Sequence, residues 1–360
     1  MIRVFTPSFA DEADTNAQNL SVKEIVSRLD SNRFEVTMLH ERAPDPRIAA
    51  RRNTILLRWR KHANTLRILS RLVCRVPDLY FFPREGPLDA AFLELRRFLH
   101  LKTALISYVV SGGLYNGNYP PARVKHIREA DAVFDNNSYL GNLLHEKMGI
   151  SSEGTMYDGI DRRYYFAPPG GRTGRSGITV LYVGSLRPYK RAPLIVHAAA
   201  SWPEVSFRIA GTGEEDQLCR KLALEWGCKN IFFLGHLSQP QIGDEMRRAD
   251  IFLFPSIVEG HPQVLAQAAG SGLPIVAMKI YRPDCVIDGR TGFLAQNDEE
   301  LGSRLSELVR NPGLRASMGS AALTHSRNFD WERISNQWAD AFDRAVAARR
   351  KKSSLNGPAS

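Results

Sequence analysis

The chain has 360 residues, 43% hydrophobic and 24% charged, which is typical of a folded globular protein and excludes a disordered one. No apolar run approaches the ~18 residues that a membrane-spanning helix needs, and the first residues indicate a strand and not a signal peptide. The four cysteines include no CxxC pair, which argues against zinc and disulfides and favours a reducing cytoplasm.

The net charge of +10 is concentrated in one segment, because residues 42–76 hold ten Lys/Arg and a single acid. Within it, residues 48–73 combine an apolar stripe with arginines on the other faces, and we predict one long amphipathic helix there. Such a helix suits an anionic membrane surface, an acidic acceptor or a partner, and the alternative is an ordinary solvated face. Nucleic acid is disfavoured as a partner, because no nucleic-acid-reading module is visible.

The first half of the chain alternates strand and helix signals, which favours a parallel sheet with helices on both faces. Predicted helices cover residues 16–29, 48–73, 88–99 and 139–148. Predicted strands cover residues 3–6, 34–39, 79–82, 103–110 and 132–134.

A Pro/Gly-rich run follows and predicts an interdomain linker at residues 169–177, after a first domain of residues 1–168. A second domain over residues 178–328 then repeats the alternation. We further expect a last helix over residues 329–347 and a disordered tail over residues 348–360. The predicted strands of the second domain are 178–183, 207–210, 231–234, 251–254, 275–278 and 292–294.

The most informative stretch is residues 254–274, which predicts a strand end, a turn at Glu259-Gly260-His261-Pro262 and a short helix from Gln263. The free N–H groups and partial positive charge of a helix start suit a diphosphate. Glu259 could accept hydrogen bonds from sugar hydroxyls, and Gln267, two turns along the helix, lies near the same face. The alternative is a plain βα unit with a charge in its loop.

A second candidate is the loop after the predicted strand 178–183, which holds Gly184, Ser185, Arg187 and Lys190. Its cations, Arg187 and Lys190, suit an anionic group such as a phosphate. The glycine turn at Gly211 is weaker evidence, because such turns are common at βα junctions. On its own, the first loop is equally compatible with a solvated basic surface.

These motifs together resemble the donor site of retaining glycosyltransferase family 4, also described as glycosyl transferases group 1. Residues 259–262 match its E-G-x-P signature, and residues 184–190 resemble its G-R-L-x-x-x-K phosphate loop. Three positions depart from the family pattern: Ser185 stands for an arginine, Gln267 for a second glutamate and Asp158 for the asparagine of an N-G-I-D turn.

The resemblance implies an α/β protein of the GT-B fold, with two Rossmann-like domains facing a cleft and a last helix that crosses back to the first domain. It implies a retaining, metal-independent hexosyltransferase with no cofactor. The donor would be a UDP- or GDP-sugar, and the acceptor a glycan, lipid-linked or other cell-envelope molecule. The absence of a D-x-D pair agrees with metal independence. A cytoplasmic location follows, with a peripheral position at the inner membrane face as an open option.

The same resemblance suggests residue roles. Lys190 and Glu259 would be catalytic, with Lys190 on the diphosphate and Glu259 on the sugar ring. The residues expected to bind the donor are Gly184, Ser185, Arg187, Gly211, Gly260, His261, Pro262, Gln263, Val264 and Gln267.

The first domain matches the family less well. Asn16-Ala17 stands where relatives often have a glycine pair, and Tyr108 lies where many have a histidine. We therefore expect Gly112 and Gly113 to take over part of that role. Two alternative functions stay open: a catalytically impaired nucleotide-sugar-binding subunit of a glycosyltransferase complex, and a sugar-nucleotide epimerase on the same scaffold.

Overall fold

The computed structural model describes residues 1–12, 16–60, 63–84, 86–110, 121–168 and 177–355. The chain divides into two compact units. Unit 1 comprises Met1–Asp158 and the C-terminal segment from Trp331, and unit 2 comprises Gly159–Asp330.

Unit 1 is built on a six-stranded parallel sheet in the order β3-β2-β1-β4-β5-β6. The strands are buried apolar runs covered by helices, as a parallel sheet requires. In chain order the elements are β1 Ile2–Phe9, α1 Ala17–Arg28, β2 Phe34–His40, α2 Pro46–Ala49, β3 Thr54–Arg58, α3 Thr65–Cys74, β4 Leu79–Phe81, α4 Pro87–Phe98, β5 Ala104–Val109, α5 Pro121–Arg128, β6 Ala132–Asp135 and α6 Ser138–Met148.

Unit 2 repeats this topology in a second parallel sheet, in the order β12-β11-β10-β7-β8-β9. In both sheets the strand order reverses between the first and fourth strands, which is where ligands bind in open α/β sheets. The elements are β7 Ile178–Val183, α7 Pro193–Ser201, β8 Val205–Ala210, α8 Asp216–Glu225, β9 Ile231–Gly235, α9 Gln239–Arg248, β10 Ile251–Phe254, α10 Gln263–Gly270, β11 Ile275–Met278, β12 Gly292–Ala295, α11 Asp298–Arg310 and α12 Pro312–His325.

The last helix, α13, covers Trp331–Leu355 and belongs to the core of unit 1. Trp338 is fully buried, and its ring centroid lies 4.8 Å from that of Phe81, 5.0 Å from that of Tyr108 and 5.3 Å from that of Phe134. The expectation of a disordered tail from residue 348 is therefore wrong up to Leu355, and residues 356–360 lie outside the described residues.

The predicted helix over residues 48–73 is also wrong. The segment forms α2, the edge strand β3 and α3 instead. Asn53, in the left-handed region at φ 54°, turns the chain into β3. Arg51 closes this turn by donating to the carbonyl oxygens of Leu29 at 3.1 Å and Phe34 at 3.0 Å.

The unit boundaries differ from the predicted domain boundaries, since the first unit ends at Asp158 and not at residue 168. Most of the predicted linker, residues 169–176, lies outside the described residues, as do Gly112 and Gly113. Across the described ranges, no helix is both long and apolar enough to cross a membrane.

Candidate functional site

The two side chains predicted to be catalytic meet in unit 2. Lys190 Nζ donates to Glu259 Oε1 at 2.5 Å, and Ser256 Oγ donates to the same oxygen at 2.6 Å. The Lys190 and Glu259 side chains are only 14% and 11% exposed. The pair is therefore a shielded charge cluster at the carboxyl end of β10, at the switch point between β7 and β10.

Lys190 is fixed by the loop that carries it. The loop after β7 contains a 3-10 turn over Pro188–Lys190. This turn is held in place because the N–H of Ile257 donates to the carbonyl oxygen of Tyr189 at 3.0 Å. The ammonium group lies 5.1 Å from the ring centroid of Phe254 and 5.5 Å from that of Tyr189. Aromatic faces attract cations, so these rings help to hold the ammonium group at this point.

The glycines of the site allow the strand ends to approach closely. A Cβ atom on Gly211 would lie 1.9 Å from the carbonyl oxygen of Gly184, and Gly211 has φ +142°. Gly211 N–H donates to the carbonyl oxygen of Gly235 at 2.7 Å. This packing explains glycine at residue 211 without a ligand, and its role in binding stays a prediction.

Tyr182 lies beneath the phosphate-loop candidate. Its Oη donates to the carbonyl oxygen of Ser185 at 3.0 Å. Burial, followed by the nearby Glu259 carboxylate, raises the pKa of Tyr182. The hydroxyl therefore stays protonated and can keep donating to the loop.

Helix α10 begins at Gln263, just after the extended residue Pro262. Within the described part of the chain, no acceptor faces the N–H groups of Gln263 and Val264, as expected in a first helical turn. Gln267 is 8% exposed on this helix. The helix start can therefore offer two N–H donors to an anion.

His261 and Arg187 lie in contrasting surroundings. The His261 ring is 6% exposed and packs against Phe329 at a centroid distance of 5.4 Å, which leaves mainly its backbone to face a ligand. Arg187 is exposed, and none of the described acidic residues pairs with it. The neighbouring Arg191 pairs with Asp298 instead.

Sequence reasoning missed Ser256, which anchors Glu259. The signal was available, because Ser256 directly follows the strand end and stands three residues before the acid. The described residues contain no group of three or more His, Cys, Asp or Glu that could hold a metal ion.

Comparison with known proteins shows what the second half of the chain is similar to. Residues 173–325 match the model of the family described as Glycosyl transferases group 1. A D-inositol 3-phosphate glycosyltransferase of Corynebacterium efficiens is 30% identical over 183 residues, which are 47% of this chain and 43% of that protein. One from Streptomyces scabiei is 28% identical over 265 residues, 64% of this chain and 59% of that protein. The chain thus spans about half the length of the curated relatives it matches.

Solved structures show the fold. Sucrose-phosphate synthase from Thermosynechococcus elongatus superposes with a TM-score of 0.78 at 16% identity, covering 97% of this chain and 100% of that one. HepE from Anabaena, in complex with UDP and glucose, gives a TM-score of 0.75 at 17% identity, covering 95% and 99%. The predicted GT-B fold with two Rossmann-like domains is confirmed. The resemblance to group 1 glycosyltransferases is also confirmed.

Proposed function

We propose that this protein is a glycosyltransferase that takes a sugar from a nucleoside diphosphate sugar bound by unit 2. The observation that supports this proposal most directly is the Lys190–Glu259 ion pair. It is shielded from solvent and held by Ser256 at the switch point between β7 and β10. A buried ion pair is costly to desolvate, so its position at a ligand-binding edge favours a functional role over a stabilising one.

The two charges have separate tasks in this proposal. Lys190 has three N–H donors, so it can keep one on Glu259 and turn the others to a diphosphate. The N–H groups of Gln263 and Val264 would stabilise the charge that grows on the leaving phosphate. Arg187 would supply a second cation, in place of the one missing at Ser185.

Glu259 would accept from the sugar hydroxyls, and Gln267 from the ribose diol. The hydrogen bond between Lys190 and Glu259 holds both side chains in place. Such preorganisation reduces the cost of ordering them during the reaction.

The finer assignments extend this proposal by resemblance. The reaction would be a retaining, metal-independent hexosyl transfer from a UDP- or GDP-sugar to a glycan, lipid-linked or other cell-envelope acceptor, without a cofactor. HepE, which shares the fold, was solved with UDP-glucose, and this supports testing uridine nucleotides first. The departing phosphate would take the proton of the acceptor hydroxyl.

A thermal-shift panel with UDP, GDP, ADP and dTDP tests the donor site. A nucleotide at 100 times its Kd should add about 2.7 kcal/mol to the free energy of unfolding of the wild type. Lys190→Ala should lose that gain, and the exposed control Lys221→Ala on α8 should keep it. If no nucleotide stabilises the wild type, unit 2 does not bind such a donor and the proposal fails.

Transfer assays with the matching sugar nucleotides then separate the alternatives. Sugar transfer or donor hydrolysis supports the enzyme. Nucleotide binding with neither reaction favours an impaired binding subunit, in line with the departures at Ser185 and Gln267. Interconversion of the donor into an epimeric sugar nucleotide would indicate the epimerase.

We also propose that the outer face of α3 contacts an anionic membrane surface. Leu66 is 82% exposed there, beside the exposed Arg67 and Arg71, for which the described residues provide no ion-pair partner. No acid occurs from residue 46 to residue 77, so nothing nearby in the sequence offsets these charges. A basic face with a protruding leucine suits a membrane interface, where anionic headgroups lie next to apolar acyl chains.

Sedimentation with vesicles of phosphatidylcholine and phosphatidylglycerol tests this surface. Each cation contributes about 1 kcal/mol near such a membrane, so Arg67→Glu with Arg71→Glu should weaken binding at least about tenfold. Lys221→Glu with Lys229→Glu in unit 2 makes the same change in net charge and should leave binding nearly unaltered. Equal losses in both variants would mean that α3 is not the contact surface.

A further inference from the structure

Ser256 lies where the loop after β10 contacts the loop after β7. It is fully buried and follows the last residue of β10 by two positions. The N–H of the next residue, Ile257, donates to the carbonyl oxygen of Tyr189 at 3.0 Å, and Ser256 Oγ lies 3.4 Å from that same oxygen. Because Tyr189 directly precedes Lys190, the serine hydroxyl is held against both loops of the candidate site.

The hydroxyl hydrogen of Ser256 has one preferred acceptor. A serine has a single O–H donor, and here Glu259 Oε1 lies at 2.6 Å whereas the Tyr189 carbonyl oxygen lies at 3.4 Å. Hydrogen bonds to an ionised acceptor are shorter and stronger than those to a neutral one. The hydroxyl therefore donates to Glu259, and this bond restricts rotation of the Glu259 carboxylate.

The two partners of Glu259 share one of its oxygens. Lys190 Nζ and Ser256 Oγ both donate to Oε1. In the part of the chain that the structure describes, no hydrogen bond reaches Oε2. Both oxygens of a carboxylate can accept, so Oε2 keeps its capacity for the hydroxyl groups of a ligand.

We propose that Ser256 is a positioning residue, which keeps Glu259 Oε2 directed at the donor sugar when Lys190 turns towards the diphosphate. This inference rests on the proposed function, in which Glu259 accepts from sugar hydroxyls. The ammonium group has a second task on the phosphates, whereas the serine has none, so the serine bond fixes the carboxylate throughout. A nucleotide that carries no sugar makes no use of Glu259, and Ser256 should therefore contribute only to the binding of sugar nucleotides.

Isothermal titration calorimetry on Ser256→Ala tests this role. The ligands are the nucleotide that the thermal-shift panel selects and its glucose, galactose, N-acetylglucosamine and mannose conjugates, of which the one that the wild type binds most tightly is used. We expect Ser256→Ala to change the Kd of the nucleotide less than about twofold and to weaken the sugar nucleotide roughly tenfold. Ser256→Thr keeps the hydroxyl and should restore the affinity, whereas Ser256→Cys, with only a weak S–H donor, should resemble Ser256→Ala.

Two further variants assign the effect. Ser326 is another fully buried serine of unit 2, and its Oγ donates to the Leu323 carbonyl oxygen at 2.7 Å, so Ser326→Ala is a matched control that should leave both affinities unaltered. In a Glu259→Ala background, Ser256→Ala should have no further effect, because the serine acts through that carboxylate.

The outcomes separate this inference from the proposed function. If no nucleotide binds to the wild type, both fail. If a nucleotide binds, this inference alone is overturned by an unchanged affinity of Ser256→Ala for the sugar nucleotide, by equal losses for nucleotide and sugar nucleotide, or by a further loss in the Glu259→Ala background.

Discussion

Asp158, the last residue of the first segment of unit 1, carries a buried carboxyl group. Burial raises its pKa to about 6, although hydrogen bonds from Ser21 and Asn136 act in the opposite direction. Tyr108 is near enough for the Asp158 and Asp135 charges to raise the pKa of its own hydroxyl, after burial as the main cause. The ionised form of Asp158 therefore destabilises the fold at neutral pH.

Replacing Asp158 by asparagine should make the protein more stable above pH 6. The folded-state pKa exceeds the ordinary value of 3.8, so the stabilising effect of the proton is complete below about pH 4 and is lost as pH rises through about 6. At pH 8 we expect Asp158→Asn to raise the free energy of unfolding by up to about 3 kcal/mol. Urea unfolding at pH 4.5 and 8 measures this, and a gain independent of pH would contradict it.

Gly211 offers a second test at the scale of one residue. Gly211→Ala would force a Cβ atom to within 1.9 Å of the Gly184 carbonyl oxygen, so we expect the free energy of unfolding to fall by at least about 2 kcal/mol. The nucleotide-induced thermal shift should fall with it, because Gly184 begins the Lys190 loop. Gly302→Ala on α11, where a Cβ meets open space, should be neutral or slightly stabilising.

Individual residues of the donor site could be predicted because the motifs are local. Glu259 and Lys190 each stand in a short pattern of glycines and charges next to a strand end. Their direct contact could not be predicted, since they are 69 positions apart and the distance depends on how β7 and β10 pair.

At the scale of elements, most helices and strands of both sheets were predictable from periodicity, and the segment over residues 48–73 was not. Its apolar residues fit a helical stripe, yet Ile55 and Leu57 lie in a strand that pairs with β2. The turn at Asn53 and the run of β-branched residues at Thr54 and Ile55 were the local signals for a strand. The pairing of this segment with β2 therefore outweighed the helical periodicity of its apolar residues.

Helix α13 should be indispensable to unit 1. Trp338→Ala removes a fully buried ring that packs against the rings of Phe81, Tyr108, Phe134 and Phe342, so we expect a loss of about 3–5 kcal/mol in the free energy of unfolding. Gln337→Ala, at an exposed position of the same helix, should change it by less than about 0.5 kcal/mol. Chemical denaturation followed by tryptophan fluorescence and circular dichroism compares the two, and similar losses would argue against this packing role.

At the scale of the whole molecule, the two units differ in continuity. Unit 2 is one uninterrupted segment, whereas unit 1 needs both ends of the chain. A chain truncated after Asp330 should therefore keep slow hydrogen exchange in unit 2 and lose it across the unit 1 sheet. The control is a chain truncated after Leu355, which should show slow hydrogen exchange in both units. Protection of the unit 1 sheet in the shorter chain would show that α13 is not required.

This discontinuity has a consequence for biosynthesis. Residues 1–158 leave the ribosome before unit 2, but the part of their sheet that α13 covers stays exposed until Trp331, Trp338 and Phe342 have been translated. Unit 2 is translated between the two segments of unit 1 and contains all the strands of its own sheet. It can therefore fold while unit 1 still lacks α13. The order of folding then reverses the N-to-C order usual for nascent multidomain chains. During that interval we expect chaperones to bind the part of the unit 1 sheet that α13 later covers.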